Sequence, residues 1–554
     1  MSCKPDFYQV LGLLAVLPLC YILVELKRVK MSKETIKAYC LGGGLGSLAA
    51  AAFMIRDGGM LGSQITIFEK LPSLGGCLDG ARLEDGSYSL RGGRMLTTDA
   101  YECFWGLFQD IPSIHNKGMS VKEETIAFNK KHIAHSKARL VDKNRHIVDT
   151  ATMNFTMHDR LEFLTLLEAS EEKLGTSKIT DWLSPEFFTT NFWYMWQTTF
   201  AFEPWHSAVE FKRYLHRFMN EFPRINTLAG VKRTEYNQYD SLVRPLQAWL
   251  QEKGVNFELA TTVDDIAVEE IDGKVTVISV SVIGPKGAKQ VVVAPDDLVI
   301  FQNGSMVDAS SIGSMEQAPA KKTKADSKGW TLWEKLAKGR PDFGNPAPFN
   351  TSIPESFWES FTVTFRTSEF FDKLEKMSGN KAGTGGLVTF KDSSWLMSVV
   401  LYNQPHFIGQ PDDVFILWGY ALYGNRVGDF VPKTMIECNG QEILTELAGH
   451  FNFDDSVFED AVCVPCRMPY ITSMFMPRAN SDRPKPVPAS SKNLAFVSQF
   501  VEIPDDVVFT VEYSVRAAQT AVYQLLNIDR EIPKITKHDK SPKVLLDSVI
   551  KSFA

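Results

Sequence analysis

The run AYCLGGGLGSLAAAAFMIRDGG, followed by ITIFEK, constrains this chain more than any other feature. Ala38, Tyr39 and Cys40 read as the end of a short apolar strand. Gly42, Gly43, Gly44 and Gly46 then form a turn whose backbone can approach a phosphate closely. The Ala-rich stretch 48–55 has high helix propensity and small side chains, so it can pack tightly on a sheet. A second strand at 65–68 ends in Glu69, 27 residues after Gly42, somewhat beyond the usual spacing of about 20 for an acid that holds a ribose hydroxyl. Ser47 stands where the fingerprint has its third glycine. A glycine pattern alone is weak. Set as strand, turn, helix, strand and acid, it predicts a dinucleotide-binding unit.

The segment after Glu69 indicates which dinucleotide. LPSLGGCLDGA places Gly75, Gly76 and Gly80 in a second glycine-rich turn soon after the acid, where simple nicotinamide dehydrogenases continue into another helix. This points to FAD. The strand at 297–301 runs into Asn303, Gly304 and Ser305. A late strand at 493–497, the IPDD segment with Asp506, and a helix over 514–526 return the chain to the nucleotide domain. The candidate FAD contacts are Gly42, Gly44, Gly46, Ser47, Glu69, Gly76, Arg91, Gly92, Gly93, Asn303, Gly304, Ser305 and Asp506.

At 554 residues the chain is too long for one core. The expected class is α/β: an FAD-binding Rossmann-like domain with inserted helix-rich and α+β substrate domains, and an N-terminal transmembrane helix. The expected divisions are an anchor at 1–30, FAD-binding parts at 31–150, 228–310 and 485–530, a helix-rich cap at 151–227, a substrate domain at 311–484 and a tail helix at 531–554. The net charge of -7 and the scattered Lys and Arg exclude a nucleic-acid surface. Residues 7–24 form an apolar run broken by Gln9 and Pro18 and followed by Lys27, Arg28, Lys30 and Lys33. That order predicts a single-pass anchor with the catalytic body in the cytosol. The eight cysteines have no framework spacing, and Cys463-Val-Pro-Cys466 lacks a partner pair, so no metal is expected and these read as buried thiols.

Several long strings are specific to a family. RGGRMLTTDAYECFWGLFQDIPS, FAFEPWHSAVEFKRY, TEYNQYDSLVRPL, FQNGSM, WEKLAKGRPDFGNPAPF, MPYITSMFMPR and KNLAFVSQFVEIPDDVVFTVEYSVRAAQTAVY resemble the oleate hydratases, also called myosin-cross-reactive antigens, and the likeness runs from about Ala38 to Asp529. The resemblance implies FAD and the addition of water across an isolated cis double bond of a long-chain unsaturated fatty acid, with no net electron transfer. An isolated alkene is a poor base, so the task needs a placed acid in a dry pocket and an activated water on the correct face. By the same resemblance Tyr214 in EFKRYL is the proton donor, while Gln238 in YNQY and Thr472 in MPYITS bind the substrate carboxylate. The expected partners are the fatty acid, a membrane and a second copy of the chain.

The chain departs from the family at one decisive place. Many members read RGGRE, and that Glu is the group proposed to activate water. Here Met95 occupies the position, a thioether that cannot take a proton and that can only line the substrate path. The loop is about one residue longer, and Asp99 and Glu102 are the nearest carboxylates available as bases. Three readings stay open: a hydratase, a flavin-dependent isomerase or oxidoreductase of the same acyl chains, and a catalytically silent lipid- and FAD-binding protein.

Overall fold

The computed structural model describes residues 36–93 and 95–553. Five short strands, β1 (Ala38–Leu41), β2 (Ile65–Phe68), β3 (Asn256–Glu258), β4 (Leu298–Phe301) and β5 (Leu494–Phe496), form a parallel sheet in the order β5-β4-β1-β2-β3. Leu41 pairs with both Phe68 and Phe301, so the carboxyl ends of β1, β2 and β4 lie level. The glycine turn, Glu69 and Gln302 leave the sheet at that common edge, where open parallel sheets bind ligands. β1 and β4 are buried along their whole length, consistent with their continuous apolar sequence.

Helix α1 (Leu45–Arg56) comes directly after the turn, and Ala49 to Ala52 are fully buried. Their small side chains let the long helix α4 (Val511–Leu525) lie against α1. The sequence places the start of α4 at 514. It begins earlier because the Thr510 hydroxyl accepts the Tyr513 N–H at 3.1 Å and caps it.

A second, seven-stranded mixed sheet has Trp358–Phe365 as the third strand from one edge. One of its edge strands, Leu140–Val141, comes from before residue 150, so the region expected at 311–484 takes an element from the N-terminal part. Two residues of strand carry no readable period. The hairpin Gly80–Arg82 and Tyr88–Leu90 docks on strand Trp358–Phe365 through side chains: Tyr88 N–H donates to Thr364 Oγ1 at 3.0 Å and Leu90 N–H to Thr362 Oγ1 at 2.9 Å. These bonds deliver Arg91, Gly92 and Gly93 between the two sheets.

The helix-rich region includes α2 (Glu102–Phe108), Asn191–Phe200 and α3 (Ala208–Arg217), which runs into the tight turn Met219–Arg224. The WYMW cluster is core: Trp193 and Trp196 are buried and pack on Phe211. The tail helix α5 (Pro542–Phe553) packs on Met219–Arg224. Cys463 and Cys466 are buried free thiols, and burial pushes the Cys466 thiol up to about 12.

The expected single-pass placement with a cytosolic body is corrected here. Among the described residues no helix is long and apolar enough to cross a membrane. Residues 7–24, on which that expectation rested, lie outside the described residues.

Candidate cofactor groove and adjoining cavity

A groove runs along the carboxyl edge of the parallel sheet. Gly42 has a φ of 105°, a conformation that side chains resist, and it turns the chain from β1 towards α1. No side chain caps α1 at Gly44, so the first amides of that helix face the groove with its positive dipole end. Glu69 accepts N–H bonds from Gly43 at 2.7 Å and Leu71 at 2.8 Å, which fixes its carboxylate beside the turn. Burial holds its carboxyl above the ordinary range against those two bonds. A side chain at Gly43 would lie 2.5 Å from Leu74 Cδ2 and 2.9 Å from Glu69 Cβ, so only glycine lets turn and acid meet.

Gly42 and Glu69 line one end of the groove and Gly46 the other, while Gly44, Gly76 and Ser305 line both; Gly304 joins the second end. Arg91 lines the first end, held by Asp79 at 2.8 Å. Three expected contacts stand behind the groove. Ser47 is fully buried and accepts Gln302 Nε2 at 3.0 Å, so Gln302 is the side chain that lies across the turn. Asn303 is fully buried, bonded to the Phe500 carbonyl at 3.1 Å and the Ser498 hydroxyl at 3.2 Å. Asp506 is buried between Arg217 and Arg516. The segment Phe509, Thr510 and Val511 lines the groove, and no sequence signal marked it.

The same segment forms one wall of a second cavity, which is largely apolar and holds Tyr214, Phe200, Phe218, Met95, Leu96 and Tyr101. Tyr214 is 1 % exposed. Its ring lies among Phe200, Phe202, Phe218 and Phe475, with centroids 5.0 to 5.6 Å away. Its hydroxyl donates to the Val508 carbonyl at 2.5 Å, a bond that requires the protonated phenol. Met95 thus lies in the Tyr214 cavity.

Gly93 borders this cavity and also a smaller pocket lined by Gly92, Arg233, Gln238, Tyr402 and His406. Gly92 therefore serves this pocket and not the dinucleotide groove. A Cβ on Gly93 would sit 1.4 Å from the Tyr402 hydroxyl, so glycine is required for the close approach. Tyr402 and His406 stack at 4.0 Å. Burial, and then the Arg233 cation, push the His406 imidazole down to about 3, so it is neutral. Arg233 is 6 % exposed, lies over the Tyr402 ring at 5.5 Å, and makes no salt bridge among the described residues. Its Nε and Nη2 are buried without a hydrogen-bond partner. A buried guanidinium in that state is costly and calls for an anion. Thr472 is not in this pocket. It is fully buried, and its hydroxyl donates to the Ser356 carbonyl at 2.9 Å.

Neither carboxylate expected to act as a base lines the Tyr214 cavity. Glu102 is held by Arg217 at 2.8 Å and Arg516 at 3.0 Å. The same two arginines grip Asp506 at 3.2 and 3.0 Å, and Arg516 reaches Glu512 at 2.8 Å. Burial opposes ionisation of Glu102, yet bonding to Arg217 and Thr536 outweighs it and holds the carboxyl at about 2. Asp99 is half exposed and pairs with Arg224 at 3.1 Å.

A family model described as MCRA family matches residues 35–523. The oleate hydratase of Streptococcus pyogenes serotype M49 (strain NZ131) is 40% identical over 510 residues, covering 90% of this chain and 86% of that protein. The linoleate hydratase of Lactiplantibacillus plantarum is 33% identical over 562 residues, covering 93% of this chain and 98% of that protein. Two solved structures align more loosely. An oxidoreductase from Methanosarcina mazei shows 13% identity and a TM-score of 0.49, over 88% of this chain and 100% of its own. Cyclohexylamine oxidase from Brevibacterium oxydans IH-35A shows 11% identity and a TM-score of 0.48, over 89% and 99%.

The cluster around Glu102 sets a pH dependence. The carboxyl titrates at about 2 in the fold against 4.5 ordinarily, so its contribution to stability is present above 4.5 and is lost as pH falls towards 2. Glu102→Gln is expected to lower stability at pH 7 by about 1–2 kcal/mol after solvent screening. The gap between variant and parent should close at low pH. Denaturant midpoints at pH 7 and pH 3 check this, and a gap independent of pH would contradict it.

Proposed function

This chain belongs to the MCRA family, and from that premise we propose that it is an FAD-dependent hydro-lyase. It adds water across a cis double bond of a long-chain unsaturated fatty acid and releases a hydroxy fatty acid. One observation carries the reading: an apolar cavity with a buried tyrosine shares a wall with the dinucleotide groove, and it leads past Gly93 to a buried, unpaired Arg233. That is the outline of an amphiphile with an anionic head and a long apolar body.

The groove fits FAD. Amides of Gly43, Gly44 and α1 suit a pyrophosphate, Glu69 suits ribose hydroxyls, and the segment 509–511 with Ser305 suits a flat ring. Bound there, FAD would supply polar groups beside the reacting cavity, in a reaction with no net electron transfer. The carboxylate of the substrate pairs with Arg233, with His406 and Gln238 beside it. The acyl chain passes Gly93 into the aromatic cavity, which excludes water from all but the reacting carbons. Tyr214 gives its proton to one alkene carbon. The Val508 carbonyl, which accepts that hydroxyl at 2.5 Å, keeps it aimed until substrate arrives. The second carbon, cation-like as the proton lands, takes the oxygen of water.

Incubation with oleic acid in heavy-oxygen water tests the reading directly. Label in a hydroxy acid is expected. A conjugated diene from linoleic acid would mark an isomerase, and bound but unchanged lipid would mark a silent protein.

Three substitutions refine it. Glu69→Arg puts a cation where ribose hydroxyls need an acceptor, and the purified protein should be colourless; a full flavin complement would reject the groove assignment. Tyr214→Phe removes only the hydroxyl and should lower turnover by about 10²-fold or more with flavin content intact. Near-parental turnover in that variant would exclude Tyr214 as the acid. Arg233→Met should raise KM for the fatty acid by roughly 10²-fold while turnover at saturation changes little. It should also raise the melting temperature of the ligand-free protein, because an uncompensated buried charge is gone. An unchanged KM would remove Arg233 from the site.

A further inference from the structure

We propose that Glu221 is the carboxylate that takes the proton from the attacking water. The inference rests on the hydration reading and supplies the group that Met95 leaves missing. Among the described residues that line the Tyr214 cavity, Glu221 is the sole carboxylate. It is 7 % exposed. Tyr214 lies on α3, and Glu221 lies on the tight turn Met219–Arg224 that follows it. Tyr214, Phe218, Glu221 and Ile225 all line the cavity. A tyrosine and a glutamate that line one cavity can act on two neighbouring carbons of a chain held within it.

The carboxylate is held by its neighbours. Arg224 donates Nε to Oε2 at 2.9 Å and Nη2 to Oε1 at 2.6 Å, and Asn220 Nδ2 reaches Oε1 at 3.1 Å. Together these use three of the roughly four lone-pair positions a carboxylate offers, which leaves room for a water. Gly230 closes over the pair. A Cβ there would lie 2.1 Å from Oε2 and 2.3 Å from Oε1, so the glycine is what lets the acid sit against the cavity wall. Asp99, on the far side of Arg224 at 3.1 Å, completes the charge on the guanidinium without touching the cavity.

The step balances. Tyr214 forms the C–H bond with its phenolic proton, water forms the C–O bond at the neighbouring carbon, and the breaking O–H bond of that water delivers its proton to Glu221. The protonated Glu221 and the tyrosinate exchange the proton back through water. One water is consumed for each hydroxy acid formed.

The test uses the flavin-loaded full chain, oleic acid and heavy-oxygen water. Glu221→Gln keeps the size and most of the Arg224 contact but cannot accept a proton. It should lower kcat by roughly 10²-fold with flavin content and oleate KM near parental. Glu221→Asp should recover part of that loss. Asp99→Asn, which also touches Arg224, should stay within about threefold of the parent, as expected when only an exposed ion pair is lost. Turnover of Glu221→Gln at the parental rate overturns the assignment, and so does a loss of kcat that comes with loss of flavin or of oleate binding and that Glu221→Asp does not relieve. If the parental chain itself puts no label into a hydroxy acid, the hydration reading fails and this assignment with it. If the parent hydrates and Glu221→Gln does too, the assignment fails alone.

Discussion

Five charged side chains meeting in the interior hold the working parts of this protein together. Arg217 closes α3, Arg516 lies within α4, Glu102 begins α2, and Asp506 and Glu512 bracket the loop that enters α4. Coulomb attraction between unit charges at contact is several kcal/mol at the intermediate dielectric of such a site, but the cost of dehydrating each ion is of the same order. The cluster therefore acts as a fixture more than as a source of net stability. Removing one partner strands the others, so the three helices cannot separate independently. Glu512 also accepts the Cys103 N–H at 3.1 Å and the Phe104 N–H at 2.7 Å, which satisfies the first amides of α2 from a distant part of the chain. The tail is drawn in as well: Thr536 N–H donates to Glu102 at 2.9 Å, ahead of α5, which packs on Met219–Arg224. The position of Tyr214 on α3 relative to the groove at α4 is set by these bonds.

The loop between Asp506 and α4 has a second duty. Phe509 has a φ of 66°, an uncommon conformation for a bulky residue, and Gln499 accepts its N–H. The same residue borders both the dinucleotide groove and the Tyr214 cavity. A strained backbone is tolerated where the surroundings over-determine it, and here Asp506 fixes one side and the Thr510 cap the other. The wall that groove and cavity share is thus the segment 509–511, held by the cluster behind it.

Much of the scaffold was legible because local chemistry and global fold agree. The glycine turn, the alanine helix and Glu69 can be satisfied together in only a few ways, and the structure has them as read. Polar residues beside a turn were less legible. Gln302 and Asn303 are adjacent, yet neighbouring residues leaving a strand point to opposite sides, and it is Gln302 that crosses the turn. Asp506 and Glu102 carry charges that suit a site equally well, and only the arginines brought from α3 and α4 show them to be structural. Arg233 and Gly230 belong to a stretch without periodicity, and their roles depend on residues far along the chain. Glu221 carried no readable signal either, because α3 ends at Arg217 and a separate tight turn, Met219–Arg224, brings the acid to the Tyr214 cavity.

The chemistry imposes two opposite demands on one volume, and the layout answers both. Protonating an alkene requires a medium poor enough in water that the acid is not levelled and the cation-like carbon is not lost to side reactions. Completing the reaction requires one water, held and able to shed a proton. On the proposed reading an apolar wall of Phe200, Phe218 and Met95 meets the first demand, and Glu221, the one carboxylate among the described lining residues, meets the second. A glutamate at the Met95 position would place charge beside Gly93 and the path to Arg233, where it would compete with the substrate carboxylate for that cation. On the proposed assignment the carboxylate stands instead on the turn after α3, paired with Arg224, and the thioether at position 95 leaves its part of the cavity wall uncharged.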